Sequence, residues 1–193
     1  MAKRKYAFRP DKPRFDLFSK LYMTKQQRLS LLRWVLFTVL LMLLSAVQDV
    51  VFCKVSLFGA TTDLVPCAII LICVQLGGDK SCVFALIAAT MYKFTGTSPG
   101  YYVIGLIPIL GVLAGVLRQS YFRRSVSSIL LCACLAVLLY EMGIFGFGLL
   151  LQHTAPDKVL RFLLTGGLSL LSYPILYPII SAIDKIGEKT WKD

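Results

Sequence analysis

The chain alternates between long apolar runs and short polar breaks. Six runs stand out: Leu31–Val51, Leu64–Leu76, Ser81–Phe94, Tyr101–Leu117, Val126–Leu151 and Val159–Ile183. Several are long enough, at about 20 apolar residues, to cross a bilayer as helices. Thr62-Asp63 and Pro66 suit the start of the second helix, with the Asp63 carboxylate as its cap. Gly77-Gly78-Asp79-Lys80 separates the second helix from the third, and Gly96 with Pro99-Gly100 forms the next turn. The second and third runs are short for a perpendicular span. Pro174 and Pro178 predict a kink in the last one.

Composition agrees with the pattern. Hydrophobic residues make up 57% of the 193 and charged residues 16%, against about 25% charged in soluble domains. The expected fold class is therefore an all-α membrane protein of six transmembrane helices. Residues 1–30 form a basic cytoplasmic tail, residues 31–186 the membrane domain and residues 187–193 a second cytoplasmic tail.

The charge of +11 sets orientation more than it signals a ligand. Ten basic residues precede the second run, through Arg33. Lys80, then Arg118, Arg123 and Arg124, then Lys185, Lys189 and Lys192 fall on the same side of a six-span path. Together these are seventeen of 21, as the positive-inside rule expects with both ends in the cytoplasm. This placement removes the need for nucleic acid as a partner. Within the tail, Phe15, Phe18 and Tyr22 recur at helical spacing among lysines. Such a stretch suits an anionic inner leaflet or a cytoplasmic partner.

Candidate chemistry is sparse. Six cysteines form no CxxC pair, and His153 is the one histidine. No nucleophile elbow, zinc-protease motif or phosphate loop occurs. No catalytic, cofactor-binding or metal-binding residue is therefore assigned, and no enzyme activity or cofactor is expected. Glu141, beside Tyr140, lies mid-way along the fifth run. A carboxyl there costs roughly 2.5–3.5 kcal/mol to insert, so it should face the interior, a cavity or a partner. Gly111 and Gly115 form a GxxxG, which lets helices approach closely. Gly143, Gly146, Gly148 and Gly166-Gly167 are the expected facing surface.

Four elements resemble the bacterial rod-shape-determining MreD family. They are Asp63-Leu64-Val65, Gly96 with Pro99-Gly100-Tyr101, Leu113-Ala114-Gly115 with Arg118 and Arg123-Arg124, and Tyr177-Pro178 in the last helix. Where the family often carries an Asp late in the third helix, this chain reads Ala89-Thr90-Met91-Tyr92-Lys93-Phe94, so that Asp's role does not transfer. The resemblance implies a non-enzymatic scaffold in the plasma membrane, serving cell shape and lateral wall synthesis. Its partners would be a single-span MreC-like protein, the MreB cytoskeleton and the peptidoglycan synthases. It also implies a body similar to the substrate-binding subunit of energy-coupling-factor transporters, and a vitamin-binding subunit of that kind is the alternative function. Glu141, Tyr140, Asp63, Gly111, Gly115, Tyr177 and Pro178 are the candidate partner or packing contacts.

Overall fold

The computed structural model describes residues 25–52, 60–96, 98–121 and 125–187. The basic tail up to residue 24, Cys53, Lys54, Arg123-Arg124 and residues 188–193 lie outside the described residues. Every regular element described is helical. α1 spans Lys25–Val47 and runs into a π-helical turn at Gln48–Phe52. α2 is Leu64–Leu76, α3 Gly78–Phe94, α4 Val103–Tyr121, α5 Val126–Leu150, α6 Val159–Leu170 and α7 Tyr173–Asp184. Helix α1 thus begins inside the expected tail, six residues before the expected boundary at residue 31.

Among the described residues, three helices are long and apolar enough to cross a membrane: Gln27–Val51, Val103–Tyr121 and Val126–Leu150. Pro156–Leu170 and Tyr173–Asp184 form a fourth span if taken together, bent by 50°. The expectation of six full spans is corrected accordingly. At 13 residues α2 is only about 20 Å long, short of the ~30 Å hydrocarbon core. α3 has 17 residues, and its first turn carries Asp79 and Lys80. The protein is membrane-embedded, but its helices penetrate to unequal depths.

A short apolar helix, α2, is the centre of the molecule. Every residue of α2 from Leu64 to Val74 is buried. A helix apolar on all sides has no face for water, and here the other helices cover it completely. α3 turns Ala85, Ala88, Ala89 and Tyr92 into the core, a stripe at helical spacing. α4 contributes Ile107, Gly111, Ala114, Gly115 and Arg118. α5 contributes Cys132, Ala133, Ala136, Val137, Tyr140 and Glu141. α1 lies at the edge and inserts Phe37 and Leu41. Its Trp34 and Phe37 rings meet Phe84 of α3 edge-on at 5.6 and 5.9 Å. The remaining faces of α1 (Leu31, Val35, Val39, Met42) and of α4–α5 (Ile109, Leu113, Leu135, Leu139) are exposed and apolar. Such surfaces suit lipid.

The connections follow local chemistry. Gly77 and Gly78 have φ of +62° and +53°. This left-handed backbone reverses the chain in one step between α2 and α3. α3 therefore starts at Gly78, and the expected four-residue turn is mostly helix. Ser125 caps α5, its hydroxyl accepting the Ser128 N–H at 3.3 Å. The last apolar run breaks at Leu171-Ser172 instead of kinking smoothly. Pro174 has no N–H for the helix ladder, and its ring crowds the carbonyl four residues earlier, so α6 ends at Leu170. Near the start of α1, Arg33 donates to Asp184 at the end of α7 at 3.1 Å. The two ends of the membrane body therefore meet on one face. Cys67, Cys73, Cys82, Cys132 and Cys134 are free thiols.

Candidate functional site

A short helix inside a bilayer leaves its end groups far from water. Unpaired N–H and C=O groups there cost several kcal/mol each. Three side chains from three other elements close the ends of α2, and they define the most polar part of the interior.

At the N-terminal end, Gln48 of the π-helical turn accepts the Val65 N–H at 2.9 Å, both groups buried. Ser169 of α6 accepts the Asp63 N–H at 2.8 Å. Asp63 occupies the cap position as expected, but its side chain makes no capping hydrogen bond. That correction has a simple cause: Gln48 already holds the Val65 N–H, one of those a cap side chain would take. At the C-terminal end, Arg118 of α4 donates to the Val74 carbonyl and, at 3.3 Å, to that of Gln75. A guanidinium at a helix C-terminus satisfies free carbonyls and opposes the negative end of the helix dipole.

Glu141 and Tyr140 lie beside the Asp63 end. Glu141 is 2% exposed and Tyr140 fully buried, so both face the chain's own interior. Glu141 is within electrostatic range of Asp63. Tyr140 is within range of Asp63, Glu141, Cys67 and Tyr92. Ser169 also interacts with the Cys67 thiol. One Glu141 carboxyl oxygen and the Tyr140 hydroxyl have no hydrogen-bond partner. Gly166 of α6 packs on this carboxyl arm, and a methyl group there would lie 3.3 Å from Glu141 Cγ. The cluster is a packed junction of α2, α5 and α6, with two acidic side chains and no basic one among them. Among the described residues, no group of three or more histidine, cysteine or acidic side chains could hold a metal ion.

Since Glu141 already leaves an oxygen unpartnered, an amide of the same shape should be tolerated. Glu141→Gln is expected to shift unfolding by less than about 1 kcal/mol. Thermal unfolding in detergent measures this, and a loss of ~2 kcal/mol or more would mean that the ionised carboxylate itself supports the fold.

The glycine seam is internal packing, but not against the expected surface. Gly111 and Gly115 face Cys73 on α2, with Gly77 beside Gly115. Of the glycines on α5 and α6, Gly143 meets Leu106 of α4, Gly148 meets Thr154, and Gly166 meets Leu138 and Glu141. Tyr177 is half-buried on α7 and Pro178 exposed, both remote from the glycine seam in sequence. Asp63, Tyr140 and Glu141 therefore come together at one end of α2, Gly111 and Gly115 lie along its other half, and Tyr177-Pro178 belongs to neither group. Gln48 and Ser169 were not expected as site residues. For Gln48 the available signal is a lone amide at the end of a long apolar run, since such a group in a membrane helix turns inward.

Compared with protein-family models, with curated proteins and with solved structures, the chain matches none. The expected likeness to energy-coupling-factor subunits therefore has no counterpart among solved folds.

Proposed function

We propose that the protein is a non-enzymatic scaffold of the bacterial cell-elongation complex, embedded in the plasma membrane. Its contacts would join a single-span MreC-like partner to the MreB cytoskeleton and the peptidoglycan synthases. One observation supports the reading above the others. Two of the four elements behind the resemblance to MreD converge on a single structural unit. Asp63-Leu64-Val65 opens α2, while Ala114-Gly115 packs along it and Arg118 of the same element closes it. The broad apolar faces of α1, α4 and α5 then suit contacts with lipid and with the helices of other membrane proteins.

The topology belongs to the same proposal. The Arg33–Asp184 pair sets the two ends of the body on one face, beside the charge-rich termini. The positive-inside rule makes that face cytoplasmic. The three long helices and the bent α6–α7 pair, as four passes, then return the chain to that face.

Depletion in a rod-shaped host is the decisive experiment. The expected result is rounding of the cells, with no new vitamin requirement and with a single-span protein co-purifying from the undepleted strain. Rods of normal shape that fail to take up a vitamin would replace the scaffold with a transporter subunit.

A further inference from the structure

A groove of about 530 Å³ lies between α1 and α3, beside the N-terminal end of α2. Its size falls within the ~300–1,000 Å³ of ligand-holding clefts. Leu41, Met42 and Ala46 of α1 form one wall, Ala88 and Met91 of α3 the other, and Val65 of α2 the floor. All six are apolar. The polar lining residues include Asp49 and Thr95, which lie at the end where α1 and α3 both stop. Ser45 and Tyr92 also line it, so the groove is mainly apolar along its length and acidic at one end.

Asp49 carries the second observation. Its Oδ1 has no accessible surface and no hydrogen-bond partner, although the residue as a whole stays partly open. Lys93, the lysine in the last turn of α3, is held 4.3 Å above the Tyr101 ring. Among the described residues, the one salt bridge joins Arg33 and Asp184, at the opposite end of α1. A carboxylate close to a bilayer is stabilised by a cationic donor, and this residue lines the groove.

We propose that this groove binds a phospholipid with a primary-amine headgroup, its acyl chain between α1 and α3 and its ammonium on Asp49. The shape of the site favours a lipid over a partner helix. A lipid is polar at one end and apolar along the rest, as the groove mainly is. The groove also includes Met42, an exposed apolar residue of α1. The proposal rests on membrane placement alone and is independent of any role in cell elongation.

The test uses the full chain, purified in detergent and exposed to equimolar dioleoyl phosphatidylethanolamine and dioleoyl phosphatidylglycerol. Native mass spectrometry then counts the lipids retained. The expected result is a roughly ten-fold preference for the amine lipid, the lower end of the scale of one charge-assisted hydrogen bond. Asp49→Asn should bring the two lipids near parity with thermal unfolding unchanged. Ala46→Trp, which fills the groove from its exposed wall, should reduce retention of both. Equal retention by the unaltered protein overturns the proposal, as does a preference that survives Asp49→Asn. Displacement by Ala46→Trp of a co-purifying single-span protein, with lipid retention unchanged, overturns it in favour of a helix-binding groove.

Discussion

Arg118→Met is expected to lower the stability of the protein by roughly 2–4 kcal/mol. The substitution keeps most of the side-chain volume and removes the guanidinium. The Val74 and Gln75 carbonyls then lose their donor at the buried end of α2, where water does not readily replace it. Arg118→Lys should recover part of the loss. A lysine keeps the charge at the helix terminus but lacks the planar fork that reaches two carbonyls at once. Thermal unfolding in detergent reads both variants. A methionine variant that unfolds with the unaltered protein would show that α2 closes without this side chain.

Gly115→Leu should cost as much or more, through crowding. A first carbon added at Gly115 lies 3.2 Å from the Cys73 carbonyl oxygen and 3.6 Å from the Gly77 Cα. Both are backbone atoms and cannot rotate away, so α4 would have to move off α2. Overpacking of this kind costs about 1–3 kcal/mol and more where the obstacle is rigid. Gly146→Ala is the control, because nothing lies within 4 Å of its added carbon. It should be neutral or slightly stabilising, since alanine is the better helix former. If both variants express and unfold alike, the close approach of α4 to α2 does not hold the structure together.

The sequence revealed the helices better than it revealed their arrangement. Apolar runs marked α2 to α5 to within about four residues, because lipid and core both demand apolar side chains, but α1 starts earlier than its run and the last run holds two helices. The break at Leu171-Ser172 was foreshadowed by Pro174, since proline acts on its own backbone. For Glu141 the sequence left the interior, a cavity or a partner open, because a mid-helix carboxyl is costly on the lipid side at any register, and the residue lies buried in the interior. What the sequence hid was long-range. Arg118 looked like one of the topology-setting cations, and its carbonyl partners stand 44 and 43 residues away. The glycine seam announced a close contact but not its partner, because Cys73 on the facing helix carries no packing signature. Asp63 looked like a cap on local grounds, and a residue 17 positions earlier than Val65 had taken that role.

The closure of α2 also fixes an order of events during biogenesis. The helix leaves the ribosome early, yet Arg118 lies 44 residues after Val74 and Ser169 lies 106 residues after Asp63. Until those later segments arrive, a helix too short to span stands in the bilayer with unpaired backbone groups. Its neighbours on α4, α5 and α6 must be delivered before it can settle. The centre of the molecule is thus among its first parts to be made and its last to be completed. A nascent chain stalled before residue 169 would carry that unfinished helix as a mark that membrane quality control can recognise.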